Sequence, residues 1–537
     1  MSEGMLEARP AQAEKERDAG AVQMNMAGEP VLCEANGDYT LPDYQPEIRK
    51  ILHVRPAVLP TGKYISGGRA EFSGTVAHSV LYADADGHLA AVLLPGEYTF
   101  RAELPEGEDT AVLCDSMAEG TVCRPGGPRK LTLRTRVRSA LHILREESVS
   151  PDIRGMGAAE DEASMERLTA RYMTMVQAGE SSPEFTMTDT VRLEENGADL
   201  HTVWSGGNLL VNECRVQEGA CLCRGDAWVR CILAPAEGTP YTVRTKIPFE
   251  VSVPVEGMAP SACAVAYGRV VSVDVSILPG TENEAGSLVF DVVGEVEVLT
   301  AANRAVEGVV DLYSTAYEMN CRYRTVPLCR FLGCSMGNYT VSGTRPRAEC
   351  EARNAVTVVD TDGRIEISGV TTASGRAVVS GNVTAQMIFL SEEEGGEATL
   401  QCAEIPVPFR VETDLRPESD GKVSFECHGE LISVRGRIEQ NALAADAEIA
   451  LTLIATECTE VRLLSEAEPD RSVTVEHAGN RVRVYYPQEN DTLFSVAARY
   501  HKKRAAIART NDIGEEALAA SDQPWSLDGI HHLLIED

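Results

Sequence analysis

The residues of this chain best suited to bind a metal are a group of closely spaced cysteines. Cys221 and Cys223 are separated by one residue, with Cys214 before them and Cys231 after them. If this segment is a strand, alternation places Cys221 and Cys223 on one face, as a thiolate site requires. No second Cys-x-x-Cys and no histidine at zinc spacing follows. We therefore predict no metal site, and we interpret Cys329 and Cys334 as structural residues too.

The other reactive residue types lack the spacing that catalysis needs. His531 and His532 are adjacent, so on a strand they point to opposite faces and do not share a ligand. The acidic run 392–394 suits a solvated hairpin turn. The sequence contains no Walker loop, Gly-x-Ser-x-Gly elbow or His-Glu-x-x-His motif. We predict a protein without enzymatic activity and without a cofactor, because an active site would have to be assembled from distant residues.

The charge balance excludes several classes of partner. The 537 residues include 49 basic and 82 acidic side chains, a net charge of −33, which repels phosphate backbones and anionic membranes. We expect no nucleic-acid partner. No apolar run approaches the roughly 20 residues of a transmembrane helix, so we expect no transmembrane segment. Fifteen cysteines scattered through apolar runs, and no signal-peptide pattern in residues 1–30, predict reduced core thiols in a cytoplasmic protein.

Three segments of the chain share one layout. Each begins with a glycine before an apolar run, reaches a turn glycine 13, 13 or 14 residues later, and returns through a strand with a proline and an aromatic residue. This order predicts a hairpin in each segment. The opening glycines are Gly74, Gly225 and Gly381.

Each unit closes with a strand whose residues alternate between two faces. In 131–138, the apolar and small residues face one way and Arg134, Arg136 and Arg138 face the other. Comparable closing strands lie at 288–299 and 447–454. Short strands and frequent glycines predict a mainly β chain of tandem small sandwich or barrel-like modules.

The boundaries between the modules follow from changes in pattern. Met165, Leu168, Tyr172 and Met175 recur at helical spacing, which predicts a short connecting helix between Glu160 and Gly179. A polar, proline-bearing linker is expected at 465–470. The predicted units are a disordered tail (1–28), β module 1 (29–150), a helical linker (151–182), β module 2 (183–314), β module 3 (315–464) and a C-terminal domain (471–537).

The C-terminal segment changes to a small α+β pattern. A strand at 482–486 precedes a helix capped by Asp491 or Thr492, a second short helix at 503–510 and a last strand at 530–535. These residues resemble a LysM domain, with Asn490 where the turn of that family has glycine. The resemblance implies a βααβ fold and a binding groove between the turn and the loop before the last strand. The implied partner- or glycan-binding residues are Asn490, Asp491, Thr492, Leu493, Phe494, Asn511 and Ile513.

A cluster of positive charge lies inside this segment. Residues 471–537 carry 8 basic and 10 acidic side chains, so almost all of the net charge lies elsewhere. On a helix, Arg499, Lys502 and Lys503 would share one side. They suit either a solvated helix face or a docking patch for an acidic protein; an anionic glycan or membrane surface is a third reading.

A second resemblance lies near the N-terminus. The stretch from Leu41 to Leu52 resembles the signature of the SPOCS domain of endospore-forming bacteria, and modules 2 and 3 keep only its glycine, turn and Pro-Phe layout. Because its prolines favour extended backbone and its isoleucines suit burial, the stretch is read first as structural and second as a docking surface. The signature residues are Leu41, Pro42, Asp43, Tyr44, Pro46, Ile48, Ile51 and Leu52.

Tandem SPOCS modules followed by one LysM are similar to the family of spore-envelope assembly proteins. The resemblance implies a scaffold in the mother-cell cytoplasm, at the outer surface of the forespore, whose LysM domain binds the coat-basement ATPase SpoIVA. The alternative is a cell-wall protein whose LysM binds N-acetylglucosamine chains of peptidoglycan. A chain without an export signal would not meet peptidoglycan, which favours the first expectation.

Overall fold

The chain is mainly β in its computed structural model. The structure describes residues 21–536 except 28–29, 60, 105–109, 157–162, 218, 256–261, 282–283, 351, 393–397, 420, 476–478, 480, 515–517 and 519–524. Three groups of paired sheets with closely related strand order follow one another along the chain, and we call them modules 1, 2 and 3; a small C-terminal unit follows them.

Module 1 is a sandwich of two antiparallel sheets. Its strands are β1 (Ala21–Ala27), β2 (Val31–Thr40), β3 (Ile48–Val58), β4 (Gly62–Ser66), β5 (Arg69–Asp84), β6 (Leu89–Glu103), β7 (Thr110–Gly127) and β8 (Lys130–Ser148). In one sheet β8 pairs with β1, β2 and β7; in the other β5 pairs with β3, β4 and β6. Apolar residues such as Val137 from the first sheet and Phe72 from the second form its core.

Module 2 repeats this order after a two-residue strand, β9 (Asp152–Ile153), which pairs with the last strand of module 3. Its strands are β10 (Met165–Ser181), β11 (Phe185–Arg192), β12 (Leu200–Gln217), β13 (Ala220–Pro235), β14 (Tyr241–Pro254), β15 (Cys263–Leu278) and β16 (Ser287–Ser314). Here β16 pairs with β10, β11 and β15, and β13 pairs with β12 and β14.

Module 3 has the same topology with one simplification. Its strands are β17 (Tyr317–Pro346), β18 (Ala355–Ala373), β19 (Arg376–Glu392), β20 (Ala398–Glu412), β21 (Val423–Ile438) and β22 (Ala442–Thr474), with a short 3-10 turn at Arg347–Glu349. The long strand β17 occupies the place of β10 and β11 together, because it pairs with β22 along nearly its whole length.

The three repeat glycines lie at equivalent places and for the same reason. Each repeat glycine lies in the central strand of its sheet, directly opposite an aromatic residue of the return strand. The pairs are Gly74 with Tyr98, Gly225 with Phe249 and Gly381 with Phe409. Each aromatic ring lies over its glycine, where a Cβ atom would collide with the ring. The repeated glycine and aromatic residue are therefore one packing device, since the missing side chain makes room for the ring.

Equivalent positions of the modules also meet one another. Leu81, Ile232 and Ile388 each lie seven residues after the repeat glycine of their module. All three are buried in one cluster between the modules. The hairpins of the three modules therefore converge on a shared centre.

A β-bulge recurs at this centre in every module. The pairing registers skip one residue at Leu52, Val203 and Val359, and each skipped residue packs in the same inter-module cluster. A bulge bends its strand and redirects the following side chain. The residues that follow these bulges are His53, Trp204 and Asp360.

The helix predicted between Glu160 and Gly179 is wrong. Met165 to Ser181 form strand β10, which pairs with β16 over its length. Its burial does not follow a helical stripe: Ala170 is buried, Arg171 and Met173 are exposed, and all four residues of 174–177 are buried. The backbone of this segment pairs with β16 along its whole length. This tertiary pairing overrides the local preference for helix that the spacing of the methionines indicated.

Two other predicted boundaries need correction. Residues 465–470 are not a linker, because β22 continues through them to Thr474 and pairs with the start of β17. Ala21–Ala27, predicted as part of a disordered tail, form β1 at the edge of module 1. Residues 1–20 and the predicted turn glycine of module 3, Gly395, lie outside the described residues.

The cysteines do not all carry free thiols. Disulfides join Cys263 to Cys334, linking module 2 to module 3, and Cys329 to Cys458, which lie opposite each other on β17 and β22. The prediction of reduced core cysteines is therefore wrong for these four. It failed because the pairs are 71 and 129 residues apart in sequence, so only the folded sheets bring them together.

The C-terminal unit, residues 482–536, follows module 3. It contains β23 (Val482–Tyr485), helix α1 (Leu493–Arg499), helix α2 (Arg504–Thr510) and β24 (Leu533–Glu536), and the two strands pair antiparallel. Its core includes Val496, Ile507 and Leu527. No helix in the described parts of the chain is long and apolar enough to cross a lipid bilayer.

Candidate functional site

The turn before α1 is held by internal hydrogen bonds. The side chain of Thr492 caps α1 by accepting from Ser495 N at 3.0 Å, and the Ser495 hydroxyl accepts from Thr492 N at 2.9 Å. Asp491 accepts from Tyr485 Oη and from Gln488 N. Burial alone would raise the pKa of Asp491, but these hydrogen bonds lower it. Asp491 and Thr492, predicted as binding residues, thus stabilise this turn through hydrogen bonds within the unit.

Leu493 and Phe494 are buried rather than open to a partner. The Phe494 ring packs against Tyr313 of β16, with ring centroids 5.0 Å apart, and belongs to a core cluster shared with that strand. Tyr313 Oη also donates to the carbonyl oxygen of Lys502 at 2.8 Å. Phe494 therefore joins the C-terminal unit to module 2.

Polar contacts surround this aromatic junction. Arg504 Nε donates to Glu166 of β10 at 2.9 Å, and His501 lies 3.0 Å from Glu318 of β17 through Nε2. His501 Nδ1 also lies 2.8 Å from the carbonyl oxygen of Ser314. Part of the basic cluster is thus occupied by contacts within this chain.

Asn511 and Ile513 lie at the end of α2. The Asn511 side chain donates to the carbonyl oxygen of Leu534 at 2.7 Å and accepts from Leu534 N, so it ties α2 to β24. Ile513 is half-buried against the core of the unit. Asn511 therefore fixes the last strand in place.

The basic residues do not share one helix side as predicted. Helix α1 ends at Arg499, His501 adopts a φ of 50°, and Lys503 precedes α2 as its N-cap. The left-handed residue breaks the helix between Arg499 and Lys502, so the spacing of a continuous helix does not apply. Of the predicted residues, Asn490, Arg499 and Lys503 are exposed. Arg499 lies 3.6 Å from Asp491.

One exposed surface of the unit was not anticipated. The strand face strip, defined as Val482, Val484 and Tyr486, is 59%, 52% and 62% exposed. The Tyr486 ring lies beside His531 and His532. The sequence indicated a strand here, but not that Tyr485 packs on the core of the unit while the valines on the other face stay exposed.

The SPOCS-like signature forms a clamped turn in module 1. Leu41 is buried, and Ile48, Ile51 and Leu52 pack in the cores. Arg129 donates to the carbonyl oxygen of Pro42 at 2.6 Å and lies 3.9 Å from Asp43; Tyr82 donates to that of Pro46 at 3.1 Å. Tyr44 is 84% exposed at the tip. The signature thus contributes buried apolar residues to the module, whereas Asp43, Tyr44 and Pro46 are exposed.

A buried ion network joins the three modules at their centre. Asp360 of module 3, with a fully buried side chain, contacts Arg55 of module 1 and, at 3.2 and 3.5 Å, Arg230 and Arg244 of module 2. Asp362 lies 2.6 Å from both Arg55 and Arg230. Burial would raise the pKa of both aspartates, but Arg230 and Arg55 outweigh it and lower the pKa of each.

A second contact among all three modules lies at His428 of β21. Its Nδ1 is 3.6 Å from Asp115 of module 1, its Nε2 is 3.4 Å from Glu430, and its ring packs against Tyr267 of module 2. Burial would lower the pKa of His428, but hydrogen bonds to Asp115 and Glu430 raise it to about 10. His428 is therefore a charged link between modules at neutral pH.

A cavity of about 1960 Å³ lies among the modules near both contacts. Arg134, Arg136 and Arg138, the residues predicted to face away from the core of module 1, line it. Arg134 lies 3.8 Å from Glu34, and Arg138 lies 3.9 Å from Glu119. Two of the three arginines therefore have carboxylate partners within their own module.

The chain matches no protein-family model, and no curated protein or solved structure is significantly similar to it.

Proposed function

We propose that the chain is a non-enzymatic, SipL-like scaffold for spore-envelope assembly. In this proposal the three modules form one body, and the C-terminal unit is a LysM domain that docks onto a coat morphogenetic protein such as SpoIVA at the forespore surface. The observation that carries it is the one-sided seating of the C-terminal unit: Phe494, His501 and Arg504 contact the body, whereas the strand face strip stays exposed.

The exposed residues suit a protein partner. A contiguous apolar strip of valines and a tyrosine, bordered by polar groups, is the composition of a protein-binding patch. Asn490, Arg499 and Lys503 are exposed on the same unit. In the proposal, the strip supplies apolar contact, and the two cations favour an acidic partner surface.

The central groups support a scaffold rather than a catalyst. Asp360, Asp362, Arg55 and Arg230 are titratable and buried together, the arrangement in which active sites are often found. Here they form ion pairs across module boundaries. Their role in the proposal is to hold the modules together.

The test compares two binding partners for the full chain. Immobilised SpoIVA and insoluble peptidoglycan are incubated with the unsubstituted protein, with Val484→Glu and with a matched variant, Val356→Glu, which changes a valine of similar exposure on module 3. We expect saturable binding to SpoIVA that Val484→Glu weakens at least tenfold and Val356→Glu preserves. Retention on peptidoglycan without binding to SpoIVA would overturn the proposal and favour the wall-binding alternative.

A further inference from the structure

Three thiols converge at one end of module 2. Cys214 on β12 lies directly opposite Cys223 on β13, and Cys221 stands two residues before Cys223 on the same strand face. Cys214 Sγ is 3.0 Å from Cys221 Sγ and 3.5 Å from Cys223 Sγ, and all three sulfurs lie within 4.8 Å of one another. The sheet therefore brings three thiols together, although their spacing in the sequence did not predict a metal site.

The three thiols differ in exposure. Cys221 and Cys223 are fully buried, and Cys214 is half-buried. Their neighbours in the core of module 2 are apolar, among them Val253 and Val255. The group is thus open on one side and enclosed by apolar residues on the other.

This arrangement suits a soft metal ion. Thiolates prefer ions such as Zn²⁺ and Cu⁺ over hard cations, which require oxygen ligands. A Zn–S bond of about 2.3 Å places the sulfurs of a tetrahedral site about 3.8 Å apart. The observed separations of 3.0 and 3.5 Å are shorter by less than 1 Å, so small side-chain rotations would open the site.

We propose that Cys214, Cys221 and Cys223 form a three-thiolate site for a soft metal ion, Zn²⁺ or Cu⁺, with an open coordination position on the side of Cys214. The site is independent of the partner surface on the C-terminal unit. Cys231 provides an internal comparison, because it is equally buried on β13 and lies outside the sulfur group.

The test uses the full chain, stripped of metal with a chelator under anaerobic conditions and without a reductant, so that the two disulfides stay closed. Co²⁺, a spectroscopic substitute for Zn²⁺, is added to the unsubstituted protein and to Cys214→Ala, Cys223→Ala and the control Cys231→Ala. We expect a thiolate-to-cobalt charge-transfer band at one equivalent, reversed by Zn²⁺, in the unsubstituted protein and the control. In Cys214→Ala and Cys223→Ala the affinity for Co²⁺ should fall by at least about tenfold. Even residues that only hydrogen-bond to metal ligands change metal affinity by that much when they are substituted. A separate titration with Cu⁺ decides which ion binds more tightly.

A second measurement needs no substitution. Alkylation of the metal-free, unsubstituted protein, with its disulfides intact, is followed cysteine by cysteine by mass spectrometry, with and without Zn²⁺ or Cu⁺. We expect either ion to slow the alkylation of Cys214 and to leave that of the exposed Cys402 unchanged. No charge-transfer band, or a band unaffected by the Cys214 and Cys223 substitutions, would overturn the proposal. Equal alkylation of Cys214 with and without both ions would do so as well.

Discussion

The centre of the three-module body and the junction of the C-terminal unit are held together in different ways. At the centre, the side chain of Asp360 is fully buried among arginines from two other modules. At the junction, the aromatic contact between Tyr313 and Phe494 is ringed by partly exposed ion pairs such as Arg504 with Glu166. If one module moves, the central network leaves a buried charge without a partner. If the C-terminal unit separates from the body, the polar groups at its junction are hydrated by water instead.

The stability of the modules should therefore depend more strongly on their contacts with one another than on the contact with the C-terminal unit. Breaking a buried ion network by removing one partner costs several kcal/mol, because the remaining charges have no water to solvate them. Exposed or partly exposed pairs contribute about 1 kcal/mol or less. We therefore expect the body to unfold as one unit and the C-terminal unit to be separable from it.

The largest effect is expected at the centre. Asp360→Ala removes the carboxylate that Arg55, Arg230 and Arg244 share, and should destabilise the body by about 3–5 kcal/mol. Urea unfolding followed by tryptophan fluorescence measures this; Trp204 lies at the centre, where Arg55 stacks on its ring at 4.0 Å. The control, Asp414→Ala, changes an exposed aspartate and should be near neutral. Equal midpoints for the two variants would remove the distinction between the joints.

The next effect is expected to stay within the C-terminal unit. Phe494→Ala removes a buried aromatic ring and should destabilise this unit by about 3 kcal/mol. Hydrogen exchange should accelerate in α1 and α2 while the amides of module 1 keep their protection. Leu278→Ala, at an exposed leucine of module 2, serves as the control. Loss of protection throughout the body would contradict a separable unit.

The charged link at His428 should make the body sensitive to alkaline pH. Its folded pKa of about 10 lies above the unfolded value near 6.5. Its contribution is thus fully present below pH 6.5 and is lost as the pH rises toward 10. Urea midpoints at several pH values should fall less steeply in His428→Gln than in the unsubstituted protein. Identical slopes would show that the imidazolium does not link the modules.

The smallest effect is expected for the ion pair at the junction. A double-mutant cycle with Arg504→Ala and Glu166→Ala should give a coupling energy of about 0.5–1 kcal/mol. The same cycle for Arg101 and Glu71, a pair on the surface of module 1 with both side chains largely exposed, should give less. A coupling energy of several kcal/mol between Arg504 and Glu166 would mean that the junction is held as strongly as the buried ion network at the centre.

The features that sequence reasoning found were local. Gly225 and the proline and aromatic residue of its return strand lie within one hairpin, so their spacing revealed the repeat. The segment 165–181 could not be assigned correctly, because its partner strand β16 begins more than a hundred residues later. The ion network was hidden for the same reason, since Arg55 and Asp360 are 305 residues apart. Phe494 looked like a surface residue of an isolated domain because nothing near it in sequence identifies Tyr313 as its neighbour.

His53, Trp204 and Asp360 occupy the same repeat position in three modules, yet they differ in charge and size. In a symmetric trimer of separate, identical modules, each subunit would bring the same residue to this position. Modules joined in one chain are free of that restriction, because each carries its own sequence. A chain without module 3 would therefore leave Arg55 and Arg230 without the carboxylate of Asp360.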